Sequence, residues 1–347
     1  MLTFDQIWYL VMIPSPVSST LAPTFRNFQP QKAISGVPQV FFVLLDQVDL
    51  LDLAGPVEVF NSARPFGVQY SLRYCGETER CLRSSSGLTL CDLEPLRSVR
   101  PSSGDIVFVP GPVGRDLKNL TSASLKSWLA RAYGCGATIC SSSTGAFTLA
   151  AAGLLDGRHS TTHWTRLPDL RKAAPKSIVE DAALFVQDGN IFTGGGVISS
   201  VDLALFILET QHGPLLATKV AQDLIVHLRR SGEQSQSSVY LSYRDHFRAG
   251  VHRVQDWIIQ NPFRRATVSQ LAEIAGISPR HLSRVFKAAT GVTIGRYRTL
   301  LRLARSKTLS SNPELTQNAI AEECGYQDGR QLRRIHRASR YLVSGVA

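Results

Sequence analysis

The sequence predicts two domains of different class: an α/β domain on a doubly wound parallel sheet, followed by an all-α domain with two helix-turn-helix motifs. Three observations carry this expectation. Continuous apolar runs alternate with helical patterns up to about residue 228. A polar stretch without periodicity follows, and beyond it the chain is helical, basic and internally repeated.

The length of 347 residues suits two cores, and an apolar content of 44% excludes disordered and collagen-like classes. The net charge of +11 is unevenly placed: residues 229–347 hold 20 Lys/Arg against 8 Asp/Glu, whereas 1–228 hold 18 against 19. A neutral two-thirds joined to a basic third points to a polyanion-binding module attached to something else. The cysteines at 75, 81, 91, 135, 140 and 324 show no C-x-x-C pair and no histidine spacing suited to zinc, so neither metal nor cofactor is expected. Cys140 lies in an apolar run and reads as a buried thiol; a reducing cytoplasm fits. No apolar run reaches the roughly 18 residues needed to span a bilayer. The run I-W-Y-L-V-M-I at 7–13 follows Asp5 rather than a basic segment, which argues against a signal peptide. Residues 1–37 read as a poorly ordered leader, rich in Pro, Ser, Thr and Gln from 14 onward.

V-F-F-V-L-L at 40–45 is the continuous run of a strand buried on both faces. In 49–63, Val57, Phe60 and Ala63 suit a helix opening at Pro56. Strands are expected at 68–75 and 105–110, with a helix at about 121–133. A-T-I-C-S-S-S-T-G-A-F-T-L, 137–149, then reads strand, tight turn, helix, which is how an α/β enzyme exposes a nucleophile. Residues 177–193 read as a hairpin turning at Asp188-Gly189; triple glycine 194–196 leads into an apolar helix, and another follows at about 214–228. R-R-S-G-E-Q-S-Q-S-S, 229–238, reads as the boundary, which gives domains at 38–228 and 250–347 joined by 229–249.

Within the basic third, L-A-E-I-A-G-I-S from Leu271 returns as I-A-E-E-C-G-Y-Q from Ile320, an offset of 49, and H-L-S-R-V-F returns as Q-L-R-R-I-H at an offset of 50. Each copy has helix-turn-helix logic, at about 268–289 and 317–338. In the first, Val268, Leu271, Ala272 and Ala275 form one apolar face and Gly276 ends the helix. Ser278 caps the next and Pro279 takes its first position. Leu282, Val285, Phe286 and Ala289 then face inward, which leaves Arg280, His281, Ser283, Arg284 and Lys287 outside for a DNA groove. Arg330, Gln331, Arg333, Arg334 and Arg337 are the counterparts in the second copy. The amphipathic helix R-Y-R-T-L-L-R-L-A-R-S-K-T-L, 296–309, runs between the copies. It is expected to hold the two recognition helices about one turn of B-DNA apart. Through S-P-R-H-L-S-R-V-F-K-A-A-T-G and A-I-A-E-E-C-G-Y, residues 250–340 resemble the AraC-type DNA-binding domain. The chain departs from that family where His336 stands in place of an aromatic and S-R-Y-L-V-S-G-V-A replaces its closing segment, which puts the second motif in question.

In the neutral two-thirds, L-D-L-A-G-P-V-E-V-F (51–60), V-F-V-P-G-P (107–112) and the S-S-S-T-G turn all fall at carboxyl ends of expected parallel strands, where doubly wound sheets bind ligands. Together with A-A-G-L-L-D-G-R-H-S-T-T-H-W, 151–164, they resemble the PfpI-like, class I glutamine-amidotransferase-like fold, which is flavodoxin-like. The combination with an AraC-type domain resembles the GlxA family of transcriptional regulators. In catalytic members of the fold, isonitrile hydratases among them, the elbow holds a cysteine paired with a carboxylate; T-G-A-F places Ser143 and Asp52 there. A hydroxyl, unlike a thiol, needs a general base in reach, and a carboxylate of ordinary pKa is a poor one.

The resemblance implies a non-catalytic domain that senses a small polar ligand or mediates dimerisation; a ligand, a small amine, amide or carboxylate, would meet Asp52, the Gly111 amide, Ser143, Thr144 and His163. The blander reading makes Thr144 a helix cap, Asp52 a turn former, Gly111 a bend and His163 a structural hydrogen-bond donor. The expected whole is a cytoplasmic, nucleoid-associated DNA-binding regulator, a homodimer, with activation the default that the AraC resemblance implies. The rival is a serine hydrolase or amidase using Ser143, with His163 and Asp181 or Asp52 completing a triad and the basic domain as a targeting module.

Overall fold

A computed structural model describes residues 25–26 and 37–343, apart from 78–80, 115–120, 182, 227–228, 233–235, 237, 263, 265 and 311–314. The chain divides after Gln236 into a sheet unit and a helical unit.

The strands of the sheet unit are β1 (Phe25–Arg26), β2 (Gln39–Leu44), β3 (Ser71–Gly76), β4 (Leu82–Arg83), β5 (Thr89–Leu90), β6 (Glu94–Pro95), β7 (Ile106–Val109), β8 (Thr138–Ser142), β9 (His159–Ser160), β10 (Ile178–Val179), β11 (Phe185–Asp188) and β12 (Ile191–Gly194). Its helices are α1 (Leu50–Asn61), α2 (Ala123–Gly134), α3 (Gly145–Ala151), α4 (Leu167–Ala173), α5 (Ile198–His212) and α6 (Pro214–Asp223). Eight strands form one sheet in the order β1-β11-β12-β8-β7-β2-β3-β6, parallel throughout except where β11 runs against β12. β1 lies within the stretch read as a leader, and pairs with β11.

Both faces are covered, which explains the apolar run in β2. Val40, Phe42 and Leu44 pack with Val59, Phe60 and the α5 residues Leu203 to Leu208. Phe41, Val43 and Leu45 point the other way, into Leu125, Trp128, Leu129, Phe147 and Leu149. Alternation of side chains along a strand divides one apolar run between two cores.

Two boundaries differ from those the sequence suggests. The helix expected to open at Pro56 opens at Leu50, because the Asp49 carboxylate accepts from the Leu51 and Asp52 amides at 2.9 and 3.4 Å. Pro56 sits inside that helix, where its missing N–H interrupts the ladder at the Asp52 carbonyl. The stretch read as a boundary linker is bound to the sheet unit over much of its length. Arg230 donates from Nε and Nη2 to Asp202 Oδ2 at 2.9 and 2.6 Å, Arg229 meets Glu209 at 2.5 Å, and Leu184 N–H donates to the Gly232 carbonyl at 2.8 Å. Cys81 and Cys91, which the sequence did not pair, form a disulfide across the β4–β5 hairpin.

The helical unit comprises α7 (Val239–Ser242), α8 (Ala249–Gln260), α9 (Val268–Ala275), α10 (Pro279–Thr290), α11 (Ile294–Leu309), α12 (Gln317–Glu323) and α13 (Gly329–Val343). Leu282 and Phe286 of α10 are fully buried against Val251, Val254, Leu271 and Tyr297. Among the described residues no helix is long and apolar enough to cross a membrane. Phe286→Ala would leave a cavity under the Tyr297 ring, 5.7 Å away, and is expected to cost about 3–5 kcal/mol. Calorimetry of the full chain should show that loss in the transition of the helical unit alone; a matching loss in the sheet unit would contradict two separate cores.

Candidate functional site

β8 ends at Ser142 and α3 begins at Gly145, so the chain turns from strand to helix within two residues. Ser143 takes φ 50°, a left-handed conformation unfavourable for a side chain with a β-carbon. Glycines make the turn possible. A β-carbon added at Gly145 would lie 2.2 Å from the Val109 carbonyl oxygen, and one at Gly196 would lie 2.3 Å from Ser143 Cβ. At Gly111 it would meet Thr144 Oγ1 at 2.7 Å and both Asp52 Oδ2 and Ser143 Cβ at 2.9 Å. The Ser143 amide donates to the Gly194 carbonyl at 2.9 Å, and Thr162 Oγ1 donates to the Ser143 carbonyl at 2.7 Å. Thr144 stands at the cap position, but its hydroxyl donates to the Pro112 carbonyl at 2.5 Å instead of capping α3.

Asp52 is fully buried beside this turn. Its Oδ1 accepts from the Val197 amide at 2.5 Å, and Val197 itself takes φ 52°, strained for a β-branched residue. Oδ2 is buried without a hydrogen bond. Burial raises the carboxyl to about 7, with Asp49 adding to the rise. The Val197 amide, the Ser142 hydroxyl and the Gly111 amide pull it down, although neither of the last two closes a hydrogen bond on Oδ2. The Ser141 and Ser142 hydroxyls are likewise buried without partners.

The structure therefore brings Asp52, Gly111, Ser143 and Thr144 together. His163 is held differently. Its Nδ1 pairs with Thr165 Oγ1 at 2.8 Å, and burial together with the nearby Arg166 holds the imidazole below its ordinary value, hence neutral near pH 7. Asp181 is engaged by Arg171. Among the described residues no hydrogen bond links Ser143 Oγ to His163 or Asp52, so the hydrogen bonds of a Ser-His-Asp relay are not made. Cys140 lies inside β8, fully buried, its thiol pushed far up by desolvation, and is no substitute nucleophile. Sequence reasoning missed Thr162, Gly196 and Val197. The triple glycine was the available signal, read only as the lead into a helix.

In the helical unit the expected groove side chains stand clear. Thr267 and Gln270 form a capping box on α9, Gly276 takes φ 71°, and Ser278 Oγ accepts from the His281 amide at 3.3 Å. This leaves Arg280, His281, Ser283, Arg284 and Lys287 exposed on α10. On α13, Arg330, Arg333, Arg334 and Arg337 are exposed, whereas Gln331 is half-buried and its Oε1 accepts from the Gln327 amide at 2.9 Å. His336, in place of the family's aromatic, pairs its Nε2 with the buried Ser306 hydroxyl at 2.8 Å. A cleft of about 320 Å³ lies between α11 and this second motif. Its Arg298 and Arg302 are committed to main-chain carbonyls of Arg264, Ala266, Pro262 and Gly325, which marks a structural seam and not a ligand site.

The raised Asp52 carboxyl fixes a pH dependence. Unfolded, the group titrates near 4; folded, near 7, so between those values the folded chain holds the extra proton and stability falls as pH rises. Asp52→Asn keeps an acceptor for the Val197 amide and removes the charge. It is expected to raise the melting temperature at pH 8 by several degrees and to change little at pH 4. Equal effects at both would show that Asp52 is not a buried titrating group.

Residues 38–210 match the DJ-1/PfpI family and 271–344 match a helix-turn-helix domain. The HTH-type transcriptional regulator GlxA of Rhizobium meliloti is 31% identical over 302 residues, covering 84% of this chain and 89% of that protein. The HTH-type transcriptional regulator CdhR of Pseudomonas aeruginosa is 26% identical, covering 86% and 88%. Isonitrile hydratase of Pseudomonas putida is 34% identical over 177 residues, covering 49% of this chain and 71% of the enzyme. The last covers about half of this chain, whereas the first two, at 84% and 86% of it, extend into both units. The chain belongs to the family of HTH-type transcriptional regulators in which a DJ-1/PfpI domain is followed by an AraC-type helix-turn-helix domain.

Proposed function

We propose that the sheet unit of this regulator is a sensor without turnover, which binds a small polar molecule at the Ser143 turn and alters how a homodimer presents its basic helices to DNA. The observation that carries the reading is the state of Ser143: a hydroxyl at a strained elbow, with Asp52 turned to Val197 and, among the described residues, no base hydrogen-bonded to its Oγ. Such a group accepts and donates hydrogen bonds but has nothing to take its proton. Amine, amide and carboxylate ligands suit the hydroxyls and backbone amides around it. The φ of 50° at Ser143 and the isonitrile hydratase relative favour the rival, a hydrolase. Both readings meet one experiment. Amines, amides, carboxylates and an isonitrile are screened for thermal stabilisation and for consumption, with wild type and Ser143→Ala. Stabilisation without consumption, weakened in the variant, is expected; consumption that disappears in Ser143→Ala would establish the enzyme.

On the DNA side, Arg280, His281, Ser283, Arg284 and Lys287 are assigned to one major groove, and Arg330, Gln331, Arg333, Arg334 and Arg337 to the next. Activation of transcription is the default direction. Arg284→Ala is expected to weaken binding to a duplex selected from a random pool by roughly tenfold or more at fixed salt. If Arg284 meets phosphate, the slope of log K against log salt also falls by about 1. Unchanged gel-shift affinity would remove Arg284 from the interface.

A further inference from the structure

We infer that Gln236 is a latch that ties the exit of the sheet unit to the walls of the Ser143 turn, so that a change at the turn is felt where the chain leaves for the helical unit. Gln236 is the last residue of the sheet unit. Its Nε2 lies 2.8 Å from the Thr162 carbonyl, 2.9 Å from the Ala183 carbonyl and 3.2 Å from Thr161 Oγ1, and its two hydrogens go to the two carbonyls at the shorter distances. Carbonyl oxygens only accept, so the amide nitrogen must face this slot. Opposite stands Gly195, where a β-carbon would lie 2.5 Å from Gln236 Cδ. Only a glycine leaves room for the side chain.

Both walls of the slot continue into the elbow. On one side Thr162, whose carbonyl holds Gln236, donates its hydroxyl to the Ser143 carbonyl. On the other, Gly195 is followed by Gly196, which abuts Ser143 Cβ, and by Val197, whose amide holds Asp52. A displacement of about 1 Å in either wall stretches hydrogen bonds of 2.8–3.2 Å beyond useful length. Among the described residues the next tether back is Gly232, through Leu184 N–H. Gly232 and Gln236 are four positions apart, a span of at most about 14 Å when extended. Gln236 is a positioning residue: it touches neither DNA nor ligand.

This inference rests on the sensor reading, and its test separates the two. Full-length wild type, Gln236→Ala and Gly195→Ala are compared by hydrogen exchange over 229–249 and by transcription from a reporter carrying a duplex selected by the wild-type chain. Gln236 is partly exposed, so its truncation keeps the fold; Gly195→Ala expels the side chain by filling its slot. Both variants are expected to exchange at least tenfold faster over 229–249 and to shift reporter output several-fold in one direction, with no compound added. Their affinity for the selected duplex should stay within twofold of wild type. Faster exchange with unchanged output would reduce Gln236 to a packing contact, and unchanged exchange would abolish the latch. Failure of the small-molecule screen would sink the sensor reading and leave these two outcomes readable.

Discussion

The turn at Ser143 can exist only because Gly111, Gly145 and Gly196 lack β-carbons. Each additional atom would fall between 2.2 and 2.9 Å from a neighbour, well inside van der Waals contact. Close packing of backbone around one residue lets the sheet end and the helix begin within two positions. It also fixes Ser143 at φ 50° and brings Val197 to φ 52°, two strained residues held by their surroundings. Everything assigned to the sheet unit depends on this arrangement: the burial of Asp52, the place of the hydroxyl, and the wall against which Gln236 lies.

The same geometry sustains different chemistries according to one side chain. A thiol placed at such a turn is made reactive by its surroundings; a hydroxyl in the same place needs a base. Asp52, raised to about 7, would be a better base than an ordinary carboxylate, yet its accepting Oδ1 is turned to the Val197 amide. Its unpaired Oδ2 faces the Gly111 backbone. The carboxyl thus works as a brace between α1 and the start of α5, two of the helices that cover one face of the sheet. A brace whose charge costs stability near neutral pH is one that a bound molecule can influence, which is consistent with sensing.

What the sequence disclosed, and what it concealed, follows from the range of the forces involved. Caps and positive-φ glycines are local, and Ser278, Pro279 and Gly276 did in the structure what their order along the chain predicts. The buried strand at 40–45 was legible because two cores demand an unbroken apolar run. Pro56 misled, since a proline tolerated within a helix looks like one that opens it, while the actual opening depended on Asp49. The segment 229–238 looked free because its anchors, Asp202, Glu209 and Thr162, are distant in sequence. Thr162, Gly196 and Val197 escaped for the same reason. His336 was read as a loss of packing, and the compensating Ser306 hydroxyl, thirty residues away, carries no local mark.

The two helix-turn-helix motifs are alike in backbone and unlike in what holds them. The first buries Leu282, Phe286 and Tyr297 completely and joins α8 in one core. Among the described residues the second buries Ile320, Ala321, Cys324 and Leu332, with the Tyr326 ring half-buried against them, and a hydrogen bond joins His336 to Ser306. The two fully buried rings of the first core remove more apolar surface from water than the one half-buried ring described in the second. Reading a base edge needs a side chain fixed to within a fraction of an ångström, whereas attracting phosphates needs charge near the duplex and tolerates looseness. The first motif, with Arg280, Arg284 and Lys287 on a helix packed into two buried rings, suits the first task. The second, with four exposed arginines and its Gln331 turned back to its own turn, suits the other.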